Sequence, residues 1–114
     1  MTNEEFEKKA RAIRKKLLDE SIRNKPSIYS LENAGAELFG IVTNLNTEND
    51  ELVPSLLSLK SDLDIYLVDL GGELKHDYDK NNKRYKDKWI IESRKISEFI
   101  YRLKKYLSEE QTEK

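Results

Sequence analysis

The amino-acid sequence predicts an all-α fold of three to four helices, a helical bundle or hairpin with a long heptad-patterned C-terminal helix. Three observations carry this. Apolar residues step by three and four along most of the chain, the spacing of one helical face. Hydrophobic residues at 37% against 38% charged residues suit helices with a narrow apolar stripe and a broad charged face. Only four Gly and two Pro interrupt 114 residues, too few for the turns of a many-stranded β fold. The length is that of one domain, residues 1–114, with a tail over 108–114 expected to fray because it is polar throughout.

The first helix is expected to open at Thr2, with Glu5 completing a capping box and Glu4 at the positive dipole end. Phe6, Ala10, Ile13, Leu17 (with Leu18) and Ile22 trace its stripe, and the opposite face carries Lys8, Lys9, Arg11, Arg14, Lys15 and Lys16. Asn24-Lys25-Pro26 ends it, because Pro26 cannot continue the hydrogen-bond ladder. A second helix is expected over Ser27–Asn46, with Ile28, Leu31, Ala34/Gly35, Leu38, Ile41/Val42 and Leu45 on its apolar side. Residues 44–50 are polar and read as the main loop.

A third helix begins near Asp50–Pro54, where Pro54 is tolerated in the first turn. Leu52, Leu56, Leu59, Leu63, Tyr66 and Leu70 form one heptad run; Tyr85, Trp89, Glu92, Ile96, Phe99, Leu103 and Tyr106 form another, with Glu92 its one polar member. Between them Leu70, Leu74, Tyr78, Asn81 and Tyr85 step 4, 4, 3 and 4, a single stutter. Two paths through 71–84 follow. Either Gly71-Gly72 or Asp79-Lys80-Asn81-Asn82 turns the chain into a four-helix bundle, or one helix runs from 53 to 107, on the order of 80 Å. The favourable i,i+4 pair of Asp79 and Lys83, in charges that show no turn beyond the two asparagines, tilts the reading to the continuous helix, with the glycine pair packing closely against Ala34, Gly35 and Ala36.

Charge is sorted along the chain. From Leu74 to Tyr106 eleven Lys/Arg stand against five Asp/Glu, a net of +6; from Ile28 to Glu73 one Lys stands against nine acids, a net of −8. The whole-chain charge of −1 hides both stretches. Separated charge of this kind attracts macromolecules.

Catalytic chemistry finds no support, and no cofactor, metal ligand set or catalytic residue is expected. The chain has no Cys and one His, so thiol nucleophiles, thiolate metal sites and a Ser-His-Asp arrangement lack their parts. Glu73 and His76 share a helical face as in di-iron bundles, but such sites need the pair twice. Glu48 and Glu51 lack the partner carboxylates that a Mg²⁺-dependent hydrolase requires. The absence of an apolar leader and of any apolar run near 20 residues predicts a cytoplasmic chain with no membrane segment.

Binding surfaces are the remaining signal. The basic, aromatic C-terminal stretch offers Lys80, Lys83, Arg84, Lys88, Arg94 and Lys95 as contacts for nucleic acid or a partner. Asp62, Asp64, Asp69 and Glu73 form a candidate acidic partner face, either for a basic protein or in the manner of inhibitors that imitate DNA. The simplest account pairs the basic face with the acidic segment, in the same chain or in a partner subunit, as charges flanking coiled coils do. A homodimer is expected from the heptads. In size and helical character the chain is similar to small accessory proteins of bacteriophages and mobile elements and to bacteriocin immunity proteins of Gram-positive bacteria. The expected function is a non-enzymatic protein–protein interaction module, a small adaptor, regulator or inhibitor.

Overall fold

A computed structural model describes residues 1–112, with side chains to residue 110. Among these residues the chain forms α1 (Asn3–Ser21), α2 (Ile28–Thr43), a 3₁₀ turn (Asp50–Leu52), α3 (Val53–Asp69), a π turn (Leu70–Leu74), α4 (Lys75–Asp79) and α5 (Tyr85–Thr112). The third rod is α3, the π turn and α4 in one line, so four rods run up, down, up and down. α2 and α5 pack on each other and on both outer rods, while α1 and α3 occupy opposite edges. The result is a flattened bundle, 50 × 24 × 17 Å.

Each rod starts where the sequence supplies a cap. The Thr2 hydroxyl accepts from the Glu5 amide at 3.1 Å, and the Glu5 carboxylate takes the Thr2 hydroxyl proton rather than the backbone N–H of a full capping box. Ser27 caps α2 by accepting from the Tyr29 amide, while the Ser27 N–H donates to Glu20 at 2.7 Å. α1 ends at Ser21, three residues before the expected stop, and leaves Ile22 exposed rather than on the stripe; Leu18 too turns outward, next to Leu17 but off the buried face. α2 ends at Thr43, short of Asn46.

The core is the two heptad runs folded on each other and on α1 and α2. Leu52, Leu59, Leu63, Tyr66 and Leu70 are buried, as are Tyr85, Trp89, Ile96, Phe99, Leu103 and Tyr106. They meet Phe6, Ala10, Ile13 and Leu17 of α1 and Ile28, Leu31, Ala34, Leu38 and Val42 of α2. One end is tied by α5: the Tyr85 hydroxyl donates to the Pro26 carbonyl, and Trp89 Nε1–H donates to the Ser27 carbonyl at 3.0 Å. At the other end Thr47 donates to Glu110 at 2.5 Å, anchoring the α2–α3 loop to the last turns of α5.

The continuous helix expected from 53 to 107 is not formed. The chain reverses over residues 80–84 through a Schellman motif: the Asn82 N–H donates to the Asp77 carbonyl at 2.9 Å and the Asn81 N–H to the Tyr78 carbonyl at 3.2 Å. Asn81 sits at φ 56°, the left-handed position that Asn tolerates better than most residues. Asn82 then accepts the Arg84 amide through Oδ1 at 3.0 Å and starts α5. Two asparagines thus stop one helix and open the next.

The close-packing role expected of Gly71 and Gly72 is also overturned. A Cβ at either would meet nothing within 4 Å, so neither is needed for a close approach of α2. The close approach falls instead on Gly35, where a Cβ would lie 2.9 Å from Leu67 Cδ2 and 3.3 Å from the Tyr66 ring. The expected fraying from 108 is corrected too, for α5 stays helical through Thr112; residues 113–114 lie outside the described residues.

Candidate interaction surface

Ion pairs between the third rod and α5, within α5, and between α5 and α1 consume part of the charge that the sequence sorts. Lys88 Nζ lies 2.6 Å from Asp77 and 3.0 Å from Glu73. Asp77 is buried beside Lys88, whose ammonium holds the carboxyl below the usual range, with the Asn82 amide adding a 3.3 Å hydrogen bond. Lys88 is raised in turn, chiefly by Asp77 and then by Glu73. Further along, Arg102 meets Asp62 at 2.9 Å and Lys95 meets Glu92 at 3.0 Å. On the other side of α5, Lys104 lies 2.7 Å from Glu7 and lowers its pKa, with Arg14 of α1 at 3.9 Å from the same carboxylate.

The candidate contacts therefore divide. Of the cations, Lys88 and Lys95 are engaged inside the molecule, whereas Lys80, Lys83, Arg84 and Arg94 are exposed and form no ion pair among the described residues. Of the acids, Asp62 and Glu73 are engaged, and Asp64 and Asp69 are exposed and unpaired among the described residues. Neither face stays whole. Tyr85, Trp89 and Tyr106 are buried, which leaves exposed Tyr101 and half-buried Tyr78 as aromatic contacts on that stretch. Tyr78 is itself occupied, edge-on to Tyr29 and Tyr85 with the Lys25 ammonium 4.1 Å above its ring. His76 is exposed, and no group of three or more His, Cys, Asp or Glu that could hold a metal ion occurs among the described residues.

Two surfaces escape a reading of heptads and charge totals. The first is the outer edge of α3. Leu57, Ile65 and Val68 are 60%, 56% and 67% exposed, and Val53 continues the line toward the N-terminus. At 100° per residue these side chains and Ser61 fall within one solvent-facing stripe. α3 is thus apolar on two opposite sides, one facing the core and one facing out. A helix apolar all round is ordinarily a buried one. Beside this stripe a groove of about 580 Å³ runs between Val68 and Gly72 on one wall and Lys88, Ile91 and Lys95 on the other, with Ile91 51% exposed. The signal was present in the sequence: Val53, Leu57, Ile65 and Val68 recur at spacings of 4, 8 and 3.

The second surface is the opposite edge. Lys8, Lys9, Arg11, Lys15 and Lys16 of α1 are exposed and form no ion pair among the described residues. One edge of the flattened bundle is cationic and the other is apolar with acidic flanks.

Comparison with protein-family models, with curated proteins and with solved structures finds no match. No helix among the described residues is long and apolar enough to cross a membrane.

Proposed function

We propose that the protein is a non-enzymatic helical protein–protein interaction module, a small adaptor, regulator or inhibitor, acting in the cytoplasm as a homodimer. One observation carries the reading: the row Leu57, Ile65 and Val68 stands in solvent on a protein that is otherwise 38% charged. Contiguous exposed apolar side chains with a polar rim mark association surfaces. Here the rim is Lys60, Asp64 and Asp69.

A photo-crosslinking amino acid placed at Ile65, with a control at Lys16 on the opposite edge, tests this in cells that produce the protein. Protein adducts from Ile65 that are missing from Lys16 support the reading. An Ile65 probe that captures no protein, itself included, ends it.

Nucleic-acid binding is a second reading, favoured by the unpaired cations of α1 and by Lys83 and Arg84. Its expected aromatic partners Tyr85 and Trp89 are in the core, and the net charge of −1 opposes a polyanion. Fluorescence anisotropy with single-stranded and duplex DNA at two salt concentrations decides it, since phosphate binding must weaken as salt rises. The imitation of DNA by the acidic face retains only Asp64 and Asp69 unpaired of its four residues.

A further inference from the structure

We propose that the outer face of α3 is the two-fold interface between two copies of this chain, packed antiparallel about Ser61. The proposal rests on the reading of that face as a protein interface and names its occupant. Two features of the stripe select a second copy over an unrelated helix.

The first is apolar self-complementarity. In an antiparallel helix pair, residues equidistant from the centre face each other. With Ser61 at the centre, Leu57 faces the partner's Ile65, and Val53 and Pro54 face the partner's Val68. The small side chain falls where the two helices come closest, and the large ones fall to either side. Three of the four apolar residues are more than half exposed in one copy, so this pairing removes side chains that no part of the bundle covers.

The second is charge. Lys60 and Asp64 are exposed, lie one turn apart on the same flank of the stripe, and form no ion pair among the described residues. Antiparallel pairing brings like flanks together, so the two-fold places Lys60 between the partner's Asp64 and the partner's Lys60, each at an axial offset of about 3 Å. Symmetry makes the Lys60–Asp64 contact twice and the Lys60–Lys60 contact once, so attraction outnumbers repulsion on this flank. On the other flank Asp62 is already neutralised by Arg102 at 2.9 Å, so no like charge is left unpaired against its copy there. A cationic partner helix would satisfy Asp64 and Asp69 but would set Lys60 against like charge with no acid beside it, whereas the second copy supplies Asp64.

The face is about 23 Å long and one helix wide. That is short of the roughly 800 Å² per partner of a standard interface, so the association is weak and concentration-dependent.

Sedimentation equilibrium from about 5 µM to about 500 µM reads it. The expected result is a weight-average mass rising from 13.4 kDa toward twice that value. Ile65→Asp holds the chain monomeric, and because the site is exposed its circular dichroism is unchanged. Lys60→Asp alone and Asp64→Lys alone each weaken association by about tenfold. The double variant Lys60→Asp/Asp64→Lys restores it, because the two-fold exchanges both charges at once. A wild-type chain that stays monomeric throughout overturns the proposal, as do a double variant weaker than either single one and a mass that climbs beyond the dimer. If the chain is monomeric while Ile65 still crosslinks a different protein, the dimer fails and the interaction reading stands.

Discussion

Asp77 and Lys88 face each other at 2.6 Å across the reversal that separates α4 from α5, and the Asp77 carbonyl accepts the Asn82 amide that closes the turn. A single residue thus fastens the corner through its side chain and its backbone. Because Asp77 is buried and Lys88 half-exposed, the pair is shielded on one side only.

The pH dependence follows from those two groups. Asp77 is lowered in the folded chain, so its contribution is whole above its unfolded value near 4 and is lost as pH falls through the lowered value. Lys88 is raised, so its contribution is whole below about 10.4 and is lost as pH rises beyond it. Thermal melts of the wild type and of Asp77→Asn between about pH 2 and pH 7 are expected to differ at neutral pH and to converge at the acid end.

Trp89 is fully buried and is the only tryptophan, so its emission is expected to be blue-shifted in the native state. Trp89→Phe removes the donor to the Ser27 carbonyl and leaves a small cavity, a loss of about 2 kcal/mol; Trp89→Ala costs about 3–5 kcal/mol. Urea unfolding followed by circular dichroism measures both.

The glycines of the third rod and the glycine of α2 that faces it are predicted to respond with opposite sign. Gly71→Ala and Gly72→Ala add a methyl to open space at negative φ, so each stabilises by about 0.5–1 kcal/mol. Gly35→Ala drives a methyl toward Leu67 and toward the Tyr66 ring, which is buried with its hydroxyl bound to the Glu92 carbonyl. Its helix-propensity gain is offset and the net change is a loss of about 1 kcal/mol. Chemical denaturation of the three variants gives the ordering.

Alkaline pH should unfold the protein before its buried tyrosines ionise freely. Burial raises Tyr66 and Tyr85, and each hydroxyl donates to a carbonyl that no phenolate can keep. Their contribution is whole below about pH 10 and falls as pH rises beyond it. In a spectrophotometric titration, two or more of the six tyrosines are expected to ionise only together with loss of helical signal.

At the turn, Asn81→Gly removes the strain of a left-handed non-glycine residue, and Asn81→Val increases it by about 1–2 kcal/mol. A rise in melting temperature for the first and a fall for the second are the expected outcome. Equal effects of either sign would contradict the geometry.

The core was legible because heptads describe one face of a helix and nothing else. Leu59, Leu63, Tyr66, Trp89, Ile96 and Leu103 were read correctly whichever way the chain ran between them. The path through 71–84 was not, because a heptad pattern is equally satisfied by a straight helix and by two antiparallel ones. Asn81 and Asn82 decided it through backbone conformation, which periodicity does not register. Charge totals proved a poor guide to surfaces for a related reason. Lys88, Lys95 and Arg102 found acids across the seam or one turn away, and only three-dimensional placement shows that Lys80, Lys83 and Arg84 did not. The outer stripe of α3 was in the sequence but sat among residues already assigned to a buried run.

The π turn at Leu70–Leu74 has a further consequence when the third rod is considered as a problem of phase. Its Lys75 N–H reaches back five residues to the Leu70 carbonyl, so the turn holds one residue more than an α-turn. The irregular step read in the sequence is absorbed there, in one widened loop of backbone, and the helix resumes at its former azimuth. Deleting Gly71 or Gly72 would remove the extra residue, return that turn to about 3.6 residues and leave everything after it at the same azimuth. Asp77 would still face Lys88 and Tyr78 would still lie beneath Lys25, so the corner would keep its fastening in a chain one residue shorter. One glycine of the pair is spare in the register of the rod.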